Sequence, residues 1–249
     1  MNTAQDRTGS LDTAKVAVVF DGPLANLINV TLLHGSYETR RVTGEAAIRA
    51  LCRDWQPDLA LIDLDRHPDA IAQTGGGLMG GGTPVIAFTR KRETRIKLQA
   101  YEQGADDMVE VPFTLDEIVA RPYALMRRAR GMRIPLVPKV TLGGRLEVDL
   151  LEQTVKMDGS KPLDLTPIQQ TLLYLLAANA GEVLTREMLL GSIWGGAFQI
   201  ESNVVDRHIR ELRVKLGDDW KTPRYLETIP GQGYRFSKVV AELASSGAE

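Results

Sequence analysis

The 249-residue sequence contains one cysteine and no long hydrophobic run, and both absences exclude classes of protein. Cys52 alone cannot form an intrachain disulfide or a cysteine metal cluster, and a reducing compartment fits this usage. No apolar stretch approaches the roughly 18 residues that cross a bilayer. The first fourteen residues include Asp6, Arg7 and Asp12 and lack the apolar core of a signal peptide. We therefore expect a cytoplasmic protein with no membrane partner.

An excess of positive charge is also missing, because 30 Lys and Arg stand against 32 Asp and Glu. Any affinity for nucleic acid must then come from a local basic patch. Apolar residues make up 43% of the chain, which is enough for real cores, and the length favours roughly two domains. No nucleophile–base pair, metal cluster or cofactor loop stands out, so an enzyme is the weakest interpretation.

The first half contains four short apolar runs, at residues 16–20, 59–62, 84–88 and 108–111. Such strands, separated by helical stretches, are typical of a parallel sheet covered on both faces. Ligands bind beyond the carboxyl ends of these strands, where Asp21, Asp63 and Thr89 fall. The two carboxylates could hold Mg²⁺, with the hydroxyl sensing a phosphoryl group. Alternatively, the aspartates are turn and helix-cap residues.

The segments that surround these residues resemble the receiver domain of a response regulator; they are residues 57–63, 83–89, 104–107 and 112–113. The resemblance implies an α/β doubly wound, flavodoxin-like fold with a parallel five-stranded sheet. It also implies that Asp63 is the phosphoacceptor equivalent, that Asp21 is a metal ligand and that Thr89 is the switch hydroxyl.

Two apolar residues depart from the receiver pattern. Phe20 stands where the family has a second acid, and Val111 stands where it has a lysine. A missing carboxylate weakens a cation site, and a missing lysine removes a partner of the phosphoryl group. We therefore predict a degenerate receiver in which Mg²⁺ is doubtful, no cofactor is required and a histidine kinase partner is uncertain.

The resemblance further implies a homodimer through an ion-paired face, formed by Lys97, Asp107, Glu117 and Arg121. Thr114 and Glu117 form a capping box that predicts a helix to about residue 130. Pro122 lies inside this helix and is expected to kink or break it. The glycine-rich stretch at 75–82 replaces much of a helix and is predicted to be a mobile loop.

The second half changes to short alternating strands at 146–150 and 154–157. Thr166 and Pro167 predict the start of a helix. Apolar residues at helical spacing predict a further helix over 201–216, with an arginine ridge on another face. A hairpin follows, with strands at 225–229 and 234–236 joined by a Pro-Gly-Gln-Gly turn. A helix of this kind beside a hairpin is typical of a winged helix-turn-helix that binds DNA.

Ordered motifs in this half resemble the effector domain of the OmpR/PhoB family; they are residues 163–166, 184–187, 193–195, 203–216 and 231–236. The resemblance implies an α+β domain with an N-terminal four-stranded sheet, three helices and a C-terminal wing. It places a DNA-binding set on the last helix and the wing: Asn203, Arg207, Arg210, Arg213, Lys215, Arg224, Thr228, Gln232 and Tyr234. Arg207 replaces a usual valine, which predicts an altered base preference. Pro230 replaces a usual arginine of the wing.

The sequence therefore predicts five segments, namely a disordered tail (1–14), a receiver-like domain (15–131), a linker (132–139), a winged helix-turn-helix domain (140–239) and a C-terminal tail (240–249). The predicted function is a homodimeric, sequence-specific transcriptional regulator that binds double-stranded DNA and acts independently of phosphorylation, with RNA polymerase as a further partner. The alternative is a conventional response regulator that a histidine kinase activates at Asp63. A regulator that senses a small molecule or a protein is the third possibility.

Overall fold

The computed structural model describes residues 13–35, 37–132, 134–195 and 203–238, and the chain divides into two units whose main boundary lies between Val137 and Pro138. The predicted C-terminal tail lies outside the described residues, as does most of the N-terminal one. Ala14, which the sequence placed in the tail, is instead the first residue of a strand. No helix in the described ranges combines the length and apolar character needed to cross a membrane.

A five-stranded parallel sheet, in the order β2-β1-β3-β4-β5, forms the centre of the first unit, as predicted. Its strands are β1 (Ala14–Val19), β2 (Tyr37–Arg41), β3 (Leu59–Asp63), β4 (Val85–Thr89) and β5 (Asp107–Glu110). Every residue of β3 and β4 is buried, which explains their continuous apolar runs. The connecting and final helices are α1 (Pro23–Leu33), α2 (Glu45–Trp55), α3 (Ala70–Gln73), α4 (Thr94–Glu102) and α5 (Leu115–Arg130).

The glycine-rich stretch after α3 is held by specific contacts. The Asp106 carboxylate accepts the backbone N–H of Leu78 at 3.1 Å and that of Val85 at 2.7 Å. Gly77 has φ +62°, and a Cβ atom there would lie 2.0 Å from the carbonyl oxygen of Gly104. Helix α3 has only four residues, as the glycine-rich sequence predicted.

Helix α5 continues through its internal proline. Pro122 is buried, and the helix is one element of 16 residues, so the predicted break does not occur. Thr114 precedes the helix, and its N–H donates to Glu117 Oε2 at 3.3 Å, as the capping box predicts. Burial of the proline face outweighs the lost backbone hydrogen bond.

In its described residues, 138–195 and 203–238, the second unit contains two three-stranded antiparallel sheets and three helices. Its elements are β6 (Lys139–Leu142), β7 (Leu146–Asp149), β8 (Thr154–Met157), α6 (Pro167–Ala178), β9 (Val183–Thr185), α7 (Arg186–Ile193), α8 (Val204–Leu216), β10 (Leu226–Ile229) and β11 (Gly233–Phe236). Strands β10 and β11 form the predicted wing, and β9 pairs with β11.

The predicted four-stranded sheet has three strands in the described part of the chain, β6-β7-β8. Leu163 donates a backbone hydrogen bond to Val155, but residues 158–166 do not extend the sheet because Pro162 has no N–H. Thr166 caps α6 as predicted, since its Oγ1 accepts the N–H of Gln169 at 3.4 Å. Helix α8 begins at Val204, and Glu201 and Ser202 of the predicted helix lie outside the described residues.

Candidate functional site

Asp63 lies at the carboxyl end of β3, fully buried, and binds a guanidinium group. Arg90, the residue after β4, donates from Nη1 to Asp63 Oδ1 at 2.7 Å and from Nη2 to Oδ2 at 2.9 Å. The side chain of Arg90 is 3% exposed. Burial lowers the pKa of Arg90, but the hydrogen bonds and charges of Asp63 and Asp65 outweigh it and raise the pKa overall. Both oxygens of Asp63 are therefore committed to a permanent cation.

A second carboxylate joins this pair. Asp65 Oδ2 accepts the backbone N–H of Arg90 at 2.7 Å and its Nη1 at 3.1 Å, and Asp65 Oδ1 accepts the Thr89 hydroxyl at 2.9 Å. Thr89 Oγ1 in turn accepts the N–H of Lys91 at 3.0 Å. The structure thus brings Asp63 and Thr89 to one edge of the sheet, as predicted, and fills the space with Arg90.

Asp21 lies at the same edge but pairs with histidine. Its Oδ2 is 3.0 Å from His67 Nε2. The preceding residue, Phe20, is fully buried and packs edge-on against Phe88, with ring centroids 5.1 Å apart. In the described part of the chain no group of three or more His, Cys, Asp or Glu residues could hold a metal. The donors therefore do not fit a magnesium ion, because Arg90 occupies both oxygens of Asp63 and His67 lies against Asp21.

The predicted dimer-face residues form ion pairs within the chain. Arg121 Nη1 lies 3.1 Å from Asp107 Oδ2, and its Nη2 lies 3.1 Å from Glu117 Oε1. Lys97 pairs with Glu110, which is not one of the four predicted residues. Arg121, Asp107 and Glu117 therefore have partners inside one chain.

The DNA-binding set divides between two faces of α8. Asn203, Arg207 and Arg210 are exposed, and Val214 is 78% exposed. These four positions share one face of the helix. Opposite them, Val205, Ile209 and Leu212 are buried in the core of the unit.

Arg213 and Lys215 do not join this exposed face. Arg213 Nη2 donates to the Leu226 carbonyl at 2.7 Å and to Thr228 Oγ1 at 2.8 Å, which ties α8 to the wing. Lys215 Nζ donates to Gln169 Oε1 at 2.9 Å. The helical spacing predicted three equivalent arginines, whereas the fold uses one of them as a brace.

Two further members of the set also have internal partners. Tyr234 is 4% exposed, and its hydroxyl contacts Asp206, to which Arg186 Nε donates at 2.8 Å. Burial, followed by the hydrogen bond with Asp206, raises the pKa of Tyr234 to about 12. Arg224 Nη2 donates to Asp158 Oδ2 at 2.9 Å. Gln232 in the wing turn is exposed, like Arg207 and Arg210.

Sequence reasoning missed Arg90 and Asp65, the residues that complete the buried cluster. A local signal existed for both, because Arg90 directly follows Thr89 at a strand end and Asp65 lies two residues after Asp63. Asp63 and Asp65 leave β3 at the same edge at which Arg90 leaves β4. That adjacency requires the strand order, which the isolated motifs did not supply.

Comparison with known proteins gives consistent matches. Residues 160–236 match the family described as "Transcriptional regulatory protein, C terminal". The chain is 34% identical over 227 residues to the transcriptional regulatory protein KdpE of Mycobacterium tuberculosis. The aligned region covers 89% of this chain and 98% of that protein. It is 33% identical over 221 residues to the phosphate regulon transcriptional regulatory protein PhoB of Pseudomonas aeruginosa. The aligned region covers 87% of this chain and 94% of that protein.

Among solved structures, the response regulator DrrB of Thermotoga maritima, an OmpR/PhoB homologue, matches with 29% identity and a TM-score of 0.36. That match covers 91% of this chain and 100% of the other. The relatives named above are transcriptional regulators, and their similarity extends across both units. The chain therefore belongs to the OmpR/PhoB family of DNA-binding response regulators.

Proposed function

We propose that this regulator binds specific DNA sequences as a homodimer and acts independently of phosphorylation at Asp63. The observation that carries the proposal is the bidentate pair between Arg90 and Asp63, with N–O distances of 2.7 and 2.9 Å. An oxygen of Asp63 must leave this buried pair before it can attack a phosphodonor. Breaking a buried pair from one side costs roughly 3–5 kcal/mol, which opposes the modification.

The pocket also opposes the chemistry of phosphoryl transfer. Mg²⁺ normally binds through carboxylate oxygens and neutralises the transferred group. Here His67 contacts Asp21 and Arg90 contacts Asp63. Val111, buried at 2% exposure, supplies no charge where the family has a lysine. The proposed regulator therefore needs no metal ion and no histidine kinase.

DNA binding is proposed to use the exposed face of α8 in the major groove and the wing beside it. Arg207 and Arg210 supply the exposed cations of this face. Arg207 is proposed to read a guanine, because a guanidinium can bond O6 and N7 of that base together. RNA polymerase is the proposed partner of the bound dimer.

Selection of bound sequences from a random DNA pool tests the proposal, with the full chain incubated with or without acetyl phosphate and Mg²⁺. We expect a paired motif with the same sequence and the same affinity under both conditions. A single half-site would contradict the homodimer.

Incubation with radiolabelled acetyl phosphate tests whether Asp63 accepts a phosphoryl group. We expect no stable label on wild type. Label that Asp63→Asn abolishes, together with tighter DNA binding by the labelled protein, would instead favour the conventional regulator activated by a kinase.

A further inference from the structure

The carboxylate of Asp65 collects the hydrogen-bond donors at the end of β4. It accepts the Thr89 hydroxyl at 2.9 Å, the Arg90 backbone N–H at 2.7 Å and the Arg90 guanidinium at 3.1 Å. The Lys91 N–H donates to Thr89 Oγ1 at 3.0 Å. Three successive residues are thus fixed to one anion, directly or through the hydroxyl.

This cluster is shielded from solvent. The Asp65 side chain is 13% exposed and that of Arg90 is 3% exposed, while Thr89 is fully buried. Hydrogen bonds to an ionised carboxylate are short and strong, and they strengthen where water is excluded. The contacts should therefore hold the start of the loop between β4 and α4 in a single conformation.

The contacts of Asp65 are not explained by a need to neutralise the charge of Arg90. Asp63 already forms two hydrogen bonds with the guanidinium. Two of the three Asp65 bonds go instead to the Thr89 hydroxyl and to the main chain. A hydroxyl, a main-chain N–H and a guanidinium are also the donors that a phosphoryl group on Asp63 would require.

We propose that Asp65 is a built-in substitute for that anion, a positioning residue that holds the β4–α4 loop and helix α4 in place without modification of Asp63. The inference rests on the proposed phosphorylation independence and adds its physical cause. Helix α4 carries Lys97 together with the exposed side chains of Leu98 and Tyr101. Asp65 therefore keeps this surface permanently available to a second copy of the chain.

Hydrogen exchange of the full chain, resolved to single amides by NMR without any phosphodonor, tests the inference. Asp65→Asn keeps one acceptor oxygen and places an NH₂ donor against the donors of Arg90. We expect exchange at the Arg90 and Lys91 amides to accelerate about 10-fold or more, with faster exchange along α4 and weaker self-association. Unchanged protection at these amides would overturn the inference.

Asp69→Asn is the matched control, because Asp69 is exposed in the same connection and makes no side-chain cap hydrogen bond. The Arg90 and Lys91 amides of this control variant should exchange at the wild-type rate. If Asp65→Asn fails to fold, Thr89→Val and Thr89→Ser test the hydrogen bond from the Thr89 hydroxyl to Asp65, since only serine keeps the hydroxyl. Amide exchange should be faster in Thr89→Val and close to wild type in Thr89→Ser. Equal exchange in the two variants would overturn the inference.

The two proposals fail differently. Phosphate-dependent DNA binding in wild type would contradict the proposed function and leave the exchange result intact. Unchanged exchange in Asp65→Asn would remove the role of Asp65 and leave the phosphate-independent DNA binding intact.

Discussion

Arg90 is a buried cation that pairs with Asp63, the last residue of β3, and with Asp65 just beyond it. Its side chain is 3% exposed and Asp63 is fully buried, so neither charge can exchange its partner for water. Such a pair stabilises the fold little more than two well-packed apolar side chains would. Removing only one of its members is costly, however, because the other charge stays buried without a partner. The stability of the first unit should therefore depend on both members together.

Arg90→Ala should lower the free energy of unfolding of the first unit by about 3–5 kcal/mol, because Asp63 keeps a buried charge without its partner. Urea titration followed by hydrogen exchange in residues 14–130 measures the change. Arg92→Ala, at an exposed position in the same loop, should change it by less than about 0.5 kcal/mol. Strictly additive effects of Arg90→Ala and Asp63→Asn in the double variant would contradict the pairing.

Arg207 is exposed on α8, at a position where the resemblance to the OmpR/PhoB effector domain predicts a valine. Arg207→Val should cost about 1–3 kcal/mol at one base pair and shift the preference there from guanine towards thymine. Competition binding against a set of single-base operator variants measures both effects. Uniform weakening on every sequence would show that Arg207 contacts phosphate instead of a base.

At the scale of elements, the arginines of α8 perform different tasks. Arg213 braces the helix against β10 through the Leu226 carbonyl and Thr228. Arg210 is exposed and lies on the helix face that it shares with Asn203 and Arg207. The helix and the wing should therefore approach DNA as one rigid piece.

Arg213→Ala should destabilise the second unit by about 1.5–3 kcal/mol, the usual value for hydrogen bonds to a charged group. Arg210→Ala should leave stability unchanged and reduce the salt slope of DNA binding by about 1. Thermal unfolding and binding titrations over a salt series separate the two variants. A loss of stability in Arg210→Ala, or none in Arg213→Ala, would reverse the assignment.

The sequence predicted four of the five parallel strands, the wing and the caps of α5 and α6, because apolar runs and capping residues act locally. It did not reveal β2, the edge strand, whose sequence Tyr-Glu-Thr-Arg-Arg is mostly polar and partly exposed. Nor did it separate Arg213 from Arg210, since both fit the helical spacing and only the packing of β10 distinguishes them. The buried cluster remained hidden because Arg90 and Asp65 meet only when β3 and β4 pair.

At the scale of the whole molecule, the proposed homodimer requires an apolar contact as well as ion pairs, because exposed pairs contribute only about 0–1 kcal/mol each. Helix α4 offers such a contact, since Leu98 is 58% exposed and Tyr101 is 47% exposed. Lys97 on the same helix pairs within the chain with Glu110.

Leu98→Asp should convert the dimer to a monomer and weaken binding to a paired operator by far more than binding to a half-site. Leu33→Asp is the matched control, because Leu33 is 57% exposed at the end of α1. Sedimentation velocity over a concentration series, without phosphodonor or Mg²⁺, measures the association. Equal dissociation of both variants, or of neither, would contradict the α4 face.

The contact between Gly77 and Gly104 has a consequence for how the chain tolerates change. A glycine run usually marks sequence that accepts substitution freely, yet an alanine Cβ at Gly77 would lie 2.0 Å from a carbonyl oxygen. Gly77→Ala should therefore reduce the yield of folded protein, whereas Gly81→Ala, which has open space around its Cβ, should cost only about 1–2 kcal/mol for its positive φ. Saturation mutagenesis of the chain, scored by the yield of folded protein, would then find one of the least tolerant positions inside the glycine-rich stretch.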